Sequence, residues 1–381
     1  MSNSHSEGDQ LESRLSLRRG GRADSTSTQR RHNMFRILFA SLCFLVSLQT
    51  LHGKDRMASD IGGAMSIAAQ QFLASLDEGE LAQATMPFDD PSRTDWHNIP
   101  KPNRKGMQFH NMNAEQKERC HKLLRSALSE SGYDKAVTIM SLENNLREGE
   151  KTVQGAPLRD PERYFLTIFG EPNAKGTWGW SFEGHHLSLN FVIRDSNTIS
   201  DTPSFWGANP ATVKVFIDGG PAVGTRTLGP EEQLAFDLVN ALDDAQQEEA
   251  IIADKAPDEY RAAGRPQPPH TSPAGLAVAK MNQGQKKTLL SLLEAYNSHL
   301  HPSIAQDRLA AIKAAGLDRI YFAWAGATTP GVGHYYRVQG PTFVLELVNV
   351  QSDPEGNPAN HIHSVWRSLE GDFAVPIAGA R

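Results

Sequence analysis

The segment MNAEQKERCHKLL, beginning at Met112, returns as MNQGQKKTLLSLL from Met281. RYFLTIFG is echoed by RIYFAWAG from Arg319, and WSFEGHHLSLNFVI by YRVQGPTFVLELVN, a match that sets Gly184 against Gly340. Each unit reads as helices, a strand, a Gly-rich turn and a second strand. A further strand ends each unit in an aromatic, TPSFWG in the first and HIHSVW in the second. An internal repeat of this size constrains the fold more than any single motif. It predicts an α+β fold of two related helix-plus-antiparallel-sheet halves, about 110–218 and 280–381, packed about a pseudo-two-fold axis. An extra N-terminal helix, over SDIGGAMSIAAQQFLASL with Ser59 or Asp60 as its cap, precedes them.

The rest of the chain is organised around those halves. MNAEQKERCHKLLRSALSESGYDKAVTIMSLENNLRE predicts two helices broken at Ser131-Gly132. LGPEEQLAFDLVNALDDAQQEEAIIA is an amphipathic helical stretch with Pro near its first position and acids in its first turn. DEYRAAGRPQPPHTSPAGLA is a Pro-rich connection into the second half. The whole of 54–381 is expected to be one globular domain.

Ahead of it, residues 1–33 are basic and Ser-rich, a composition that cannot bury a core and is expected to be disordered. Residues 34–53 carry an apolar run from Phe35 to Leu48 behind a basic flank. That is too short for a comfortable bilayer span and suits a signal peptide or, if uncleaved, an N-terminal membrane anchor. The mature protein is therefore expected to be exported, periplasmic or extracellular. The net charge of −6 offers no global field for nucleic acid. Two cysteines, Cys43 and Cys120, leave neither a disulfide framework nor a Cys-based zinc site.

Fourteen histidines shift the attention to imidazole chemistry. ANHIHSVWR holds two of them at i and i+2, so in a strand His361 and His363 share one face with Val365. In HHLSLNF, strand phase puts His186, Ser188 and Asn190 on the polar face and His185 with the leucines on the other. His186 is thus the stronger ligand candidate and His185 the weaker, although a turn directly after Gly184 would bring both inward. His334, in GVGHYYR, stands at a strand start where a loop delivers a ligand. These five histidines are the candidate metal set; His97, His110, His121, His299 and His301 sit in polar or helical contexts and read as incidental. For any of the five, the competing reading is a hydrogen-bonded or solvent-facing strand position. Because the H-x-H has no counterpart in TPSFWG, a complete ligand set needs both halves. The set then requires His186 to lie within about 10 Å of His361 and His363, since metal–nitrogen bonds are near 2 Å.

Other side chains join as catalytic or binding candidates. Glu183 is a possible general base or acid beside a metal-bound water, or else a salt-bridged carboxylate. Arg337 and Tyr336 follow His334, and Arg367 follows Trp366; they are placed to bind an anionic or carbonyl oxygen, or, for either arginine, to pair with Glu346. Asn190 and Trp206 complete the substrate-binding candidates. Trp178, Trp180, Trp206, Trp324 and Trp366 either line a pocket for a flat or sugar-like ligand or fill a core between sheets.

GWSFEGHHLSLNF, TPSFWGANPA, YFAWAG…GHYYRVQGP and NHIHSVWR together resemble the domain-of-unknown-function family numbered 3500, from roughly Ala58 to the C-terminus. The resemblance implies no reaction. The chain departs from that family's pattern in LVNVQ, where Val348 replaces an acid, and in DFA, where the family ends D-F-G. The residues support an exported metal-dependent enzyme, most naturally hydrolytic with a His-bound zinc activating water. The alternatives are a copper-dependent oxidase or oxygenase and a non-catalytic ligand-binding module. The expected cofactor is zinc or copper, and the expected partner a small-molecule, peptide or sugar substrate. No P-loop, dinucleotide fingerprint, nucleophile elbow or H-E-x-x-H helix is present.

Overall fold

The computed structural model describes residues 61–377. The basic tail over 1–33 and the apolar segment over 34–53 lie outside the described residues. What is described is a mixed α+β structure: thirteen strands join one large sheet, with helices packed on one of its faces and irregular segments on the other. Among the described residues no helix is long and apolar enough to cross a membrane.

Residues 61–73 form helix α1, followed by α2 (Glu78–Ala84) and the short strands β1 (Thr85–Met86) and β2 (Met107–Gln108). Helices α3 (Ala114–Ala127) and α4 (Glu130–Glu150) lead into β3 (Phe165–Phe169), β4 (Thr177–Gly184), β5 (Leu187–Arg194), β6 (Asn197–Ser200) and β7 (Ser204–Ala208). Then come α5 (Gly229–Asn240), α6 (Asp244–Ala250), β8 (Ile251–Ala253), β9 (Leu276–Ala277), α7 (Gln283–Asn297) and α8 (Pro302–Ala315). Strands β10 (Tyr321–Gly326), β11 (His334–Gln339), β12 (Phe343–Gln351) and β13 (His361–Ser368) complete the sheet.

The strand order is β1-β3-β4-β5-β7-β13-β12-β11-β10-β8, with β2 on β3, β6 on β5 and β9 on β10. Parallel pairing occurs at the two outer positions, β1 with β3 and β8 with β10; every other pair is antiparallel. The centre is the β7–β13 ladder, in which Phe205 faces Val365, Trp206 faces Ser364 and Ser204 faces Trp366.

Local chemistry explains the helix boundaries. Asn113 caps α3 and Gln116 reaches back to it, a reciprocal pair that satisfies two otherwise orphaned N–H groups; Asn282 and Gln285 do the same for α7. The break between α3 and α4 falls at Leu128–Ser129 rather than at Ser131-Gly132. Ser129 is the cap, accepting from Gly132 N. Gly132 lies inside α4 because a Cβ there would come within 1.9 Å of His299 O, so its role is close helix packing and not helix termination. The amphipathic stretch after Gly229 is split in two by a capping box at Asp243 and Gln246.

Burial alternates along the strands. Trp206, Tyr336, Ile362 and Trp366 point into the main core, shared with α3, α4, α5 and α7. Phe205, Tyr335, Val348 and Val365 point the other way, into a smaller cluster with Trp96, Tyr260 and Phe373. All five tryptophans named above are buried. They fill the core between the sheet and its helices, the second of the two roles open to them from sequence, and Trp366 also borders a cleft beside α8. Each removes roughly 150–250 Å² from water, about 4–6 kcal/mol before the cost of ordering the side chain.

Candidate metal centre

One end of the sheet gathers the termini of its central strands: the β4–β5 turn, the end of β7 and the start of β13. Gly184 pairs with Leu187, so His185 and His186 are the two residues of a tight hairpin turn. His186 adopts φ 61°, a left-handed conformation a tight turn requires, and that takes it out of the strand alternation. Its N–H donates to Asn98 O at 3.0 Å, and its carbonyl accepts from Gly207 N at 2.8 Å. Gly207 faces His363 across the ladder. A Cβ on Gly207 would sit 3.0 Å from His186 Cδ2 and 3.0 Å from Ile362 O, so only glycine leaves room for the ring.

Three imidazoles converge there. His186 Nε2 is 2.8 Å from His361 Nε2 and 3.3 Å from His363 Nε2. One nitrogen from each ring can be chosen so that all three lie within 4.8 Å of one another. Two nitrogens bound to one tetrahedral ion at about 2.0–2.1 Å stand about 3.3 Å apart. The His186–His363 spacing meets that value, and the His186–His361 pair needs to open by about half an ångström. The required proximity of His186 to the H-x-H pair is therefore met.

The outer nitrogens are held by polar groups. His363 Nδ1 lies 2.6 Å from Glu259 Oε2, which fixes the proton on Nδ1 and leaves the Nε2 lone pair facing the other rings. His361 Nδ1 lies 3.2 Å from the Asn209 amide nitrogen, while Asn209 Oδ1 is buried without a partner. Turning that amide over gives His361 Nδ1–H an acceptor and frees its Nε2 as well. Burial, reinforced by the charges of His363 and Arg159, pushes His361 down to about 3. Burial, then the neighbouring His185, His361 and His363, holds His186 well below the ordinary value. Neutral imidazole is the form that binds a metal.

The remaining candidates lie elsewhere. His185 stacks on His186 with ring centroids 3.7 Å apart, but its Nδ1 is engaged by Glu143 at 2.5 Å and Arg159 at 2.9 Å. Burial raises Glu143 to about 8, so its carboxyl is the donor to His185 Nδ1 at neutral pH. His334 is on the helix-covered face of the sheet, stacked on Trp324 with its Nδ1 on Val332 O at 2.8 Å, so β11 itself stands between it and the three histidines. Glu183 has Lys105 Nζ at 2.9 and 3.0 Å from its two oxygens.

Tyr336 and Trp206 also face the helices. Tyr336 shares its hydroxyl with Tyr296 at 2.7 Å, and Trp206 donates to Ser204 Oγ at 2.9 Å. Asn190 donates to Pro203 O at 2.9 Å. Arg337 is buried opposite Glu346, yet the carboxylate is bonded by Arg261 and Tyr335 instead. Arg367 pairs with Asp372 and donates to Arg265 O, so neither arginine makes the ion pair with Glu346 considered from sequence. His299 is fully buried between Lys135 and Glu231 on the helix side, a packing role that its sequence context did not announce.

Three residues of the site were not among the sequence candidates, although Asn209 lies in the TPSFWGANPA segment. Glu259 sits in the Pro-rich connection, read only as a linker. Asn98 and Asn209 lie in irregular segments, and Asn98 Oδ1 further accepts from Tyr260 OH at 3.0 Å. No curated protein and no solved structure matches this chain. Over residues 60–375 it matches the family described as "Protein of unknown function (DUF3500)", and with most of its length covered the chain belongs to that family.

Proposed function

We propose that His186, His361 and His363 hold one metal ion, and that the protein is an exported metal-dependent enzyme, hydrolytic with zinc. The observation that carries this is the convergence of three Nε2 atoms with Glu259 bonded to the back of His363. Three protein nitrogens with a position left open is the catalytic rather than the structural pattern for zinc. The ion would supply a Lewis acid and bring the pKa of water near 7. His361 is half-buried and the Glu259 side chain is 32% exposed, so solvent reaches this side of the cluster. As a general base Glu183 competes with Lys105, which engages both its oxygens; it is assigned no proton transfer, and Glu259 takes the part of orienting His363. Export is supported by the apolar segment over 34–53.

The two-half architecture is part of the same proposal. What supports it in the central ladder is the Ser-x-Trp sequence that each strand carries, Ser204–Trp206 and Ser364–Trp366, set against each other about the Phe205–Val365 pair. The matched capping pairs of α3 and α7 and the matched parallel outer strands support it further. On this reading the ligand set is assembled across the central ladder, with the hairpin turn of one half and β13 of the other as its two sides.

Elemental analysis of purified, untagged protein tests the metal. One equivalent of zinc or copper, lost in the His361→Ala/His363→Ala variant while the fold survives, supports the proposal. Metal-free protein that takes up neither ion on dialysis, and whose stability is unchanged by the double substitution, refutes it.

A further inference from the structure

A second candidate site lies at the opposite end of the β7–β13 ladder from the histidines. A cleft of about 410 Å³ opens there, within the size range of small-molecule sites. Asp201, just before β7, and Thr342, in the β11–β12 turn, contribute to it from the sheet; α8 contributes Arg308 and Ala311. In the repeat, Thr342 is the counterpart of His186. The same structural place in the other half therefore carries a different set of side chains.

Arg308 organises the cleft. Its guanidinium lies 4.6 Å from the Trp366 ring centroid and 2.8 Å from Asp201 Oδ2, and its side chain is nine-tenths buried at 10% exposure. Nη2 is thus ion-paired with Asp201 on the cleft wall. Thr198 Oγ1, also on the lining, is buried without a partner.

The lining chemistry limits what that ligand is. It carries three carboxylates, Asp201, Asp307 and Glu370, against one guanidinium, which disfavours an anion. Ser200, Thr202 and Ser368 add hydroxyls that both donate and accept, while Ile304 and Ile312 form an apolar wall. A ring with many hydroxyls and one apolar face matches this mixture; a purely apolar ligand would strand the carboxylates. We infer that this cleft binds a neutral polyhydroxylated ligand of mono- or disaccharide size, independently of the histidine site.

Isothermal titration of the 381-residue protein with cellobiose, maltose and glucuronate tests this. Saturable binding of either disaccharide is expected. It should weaken at least tenfold in Ala311→Trp, which fills the cleft from an exposed position on α8, and in Arg308→Met, and stay unchanged in His361→Ala. Thermal melts establish that each variant is folded, and Ala311→Trp keeps the test intact if Arg308→Met does not fold. The inference is overturned if neither disaccharide binds at tens of millimolar. It is equally overturned if binding survives Ala311→Trp, if His361→Ala abolishes it, or if glucuronate binds more tightly than the neutral sugars.

Discussion

Removing the carboxylate behind His363 separates a metal centre from a chance meeting of three histidines. Glu259 Oε2 stands 2.6 Å from His363 Nδ1, the short spacing of a charge-assisted bond. Such a partner fixes the ring and raises the basicity of the ligating nitrogen, and losing one costs about 10–100-fold in metal affinity, or about 1.4–2.7 kcal/mol. Glu259→Gln retains an acceptor without the charge, so zinc affinity should fall about tenfold. Glu259→Ala removes both and should approach a hundredfold loss. Because this side chain is partly exposed on an irregular segment, the metal-free protein should lose less than about 1 kcal/mol of stability. Zinc affinity measured against a fluorescent chelator, beside urea melts of the metal-free protein, reads the two effects separately. The reasoning fails if Glu259→Ala binds zinc as tightly as the parent. It fails equally if metal-free stability drops as far as the affinity does, since Glu259 would then be a structural anchor.

Three further outcomes are expected. Gly207→Ala should push the His186 ring from its 3.0 Å contact, abolishing high-affinity zinc uptake at a stability cost of about 1–3 kcal/mol; unchanged uptake would show that the ring is not confined. Glu143, pushed up to about 8 by burial, stays protonated in the fold while the unfolded chain ionises above its ordinary value of 4.5. Wild-type stability relative to Glu143→Gln should therefore fall as pH rises from 4.5 to about 8 and then level off; a difference that is flat or rising with pH contradicts the assignment. Gln116 and Gln285 occupy matching buried positions: Gln116 donates to Ser75 O and Glu80, and Gln285 to Ala241 O and Gln246. Replacing either with Ala should cost about 2–3 kcal/mol in urea unfolding, and a clear inequality between the two would argue against equivalent halves.

Part of this protein was legible in its sequence because some signals are local. The period-two segments depend on neighbours within a few positions, and each has its strand in the structure. The shared face of His361 and His363 follows from strand alternation alone. Other features were decided over longer distances. The break between α3 and α4 was misplaced because Gly132 answers to His299 O, a contact far along the chain and invisible to a local rule. His334 stands at a strand start in the sequence like a ligand, and only the sheet decides that it lies on the helix-covered face.

Strand phase and turn chemistry are properties of the covalent chain, and for that reason the sequence by itself determined most of the strands and set His361 and His363 on one face. The choice among five histidines needed the tertiary structure. It depended on which ends of β5, β7 and β13 come together, on the left-handed turn that swings His186 inward, and on the segment that brings Glu259 behind His363. A ligand sphere is closed by residues that are distant in sequence and joined only by packing, so its membership is written in the fold.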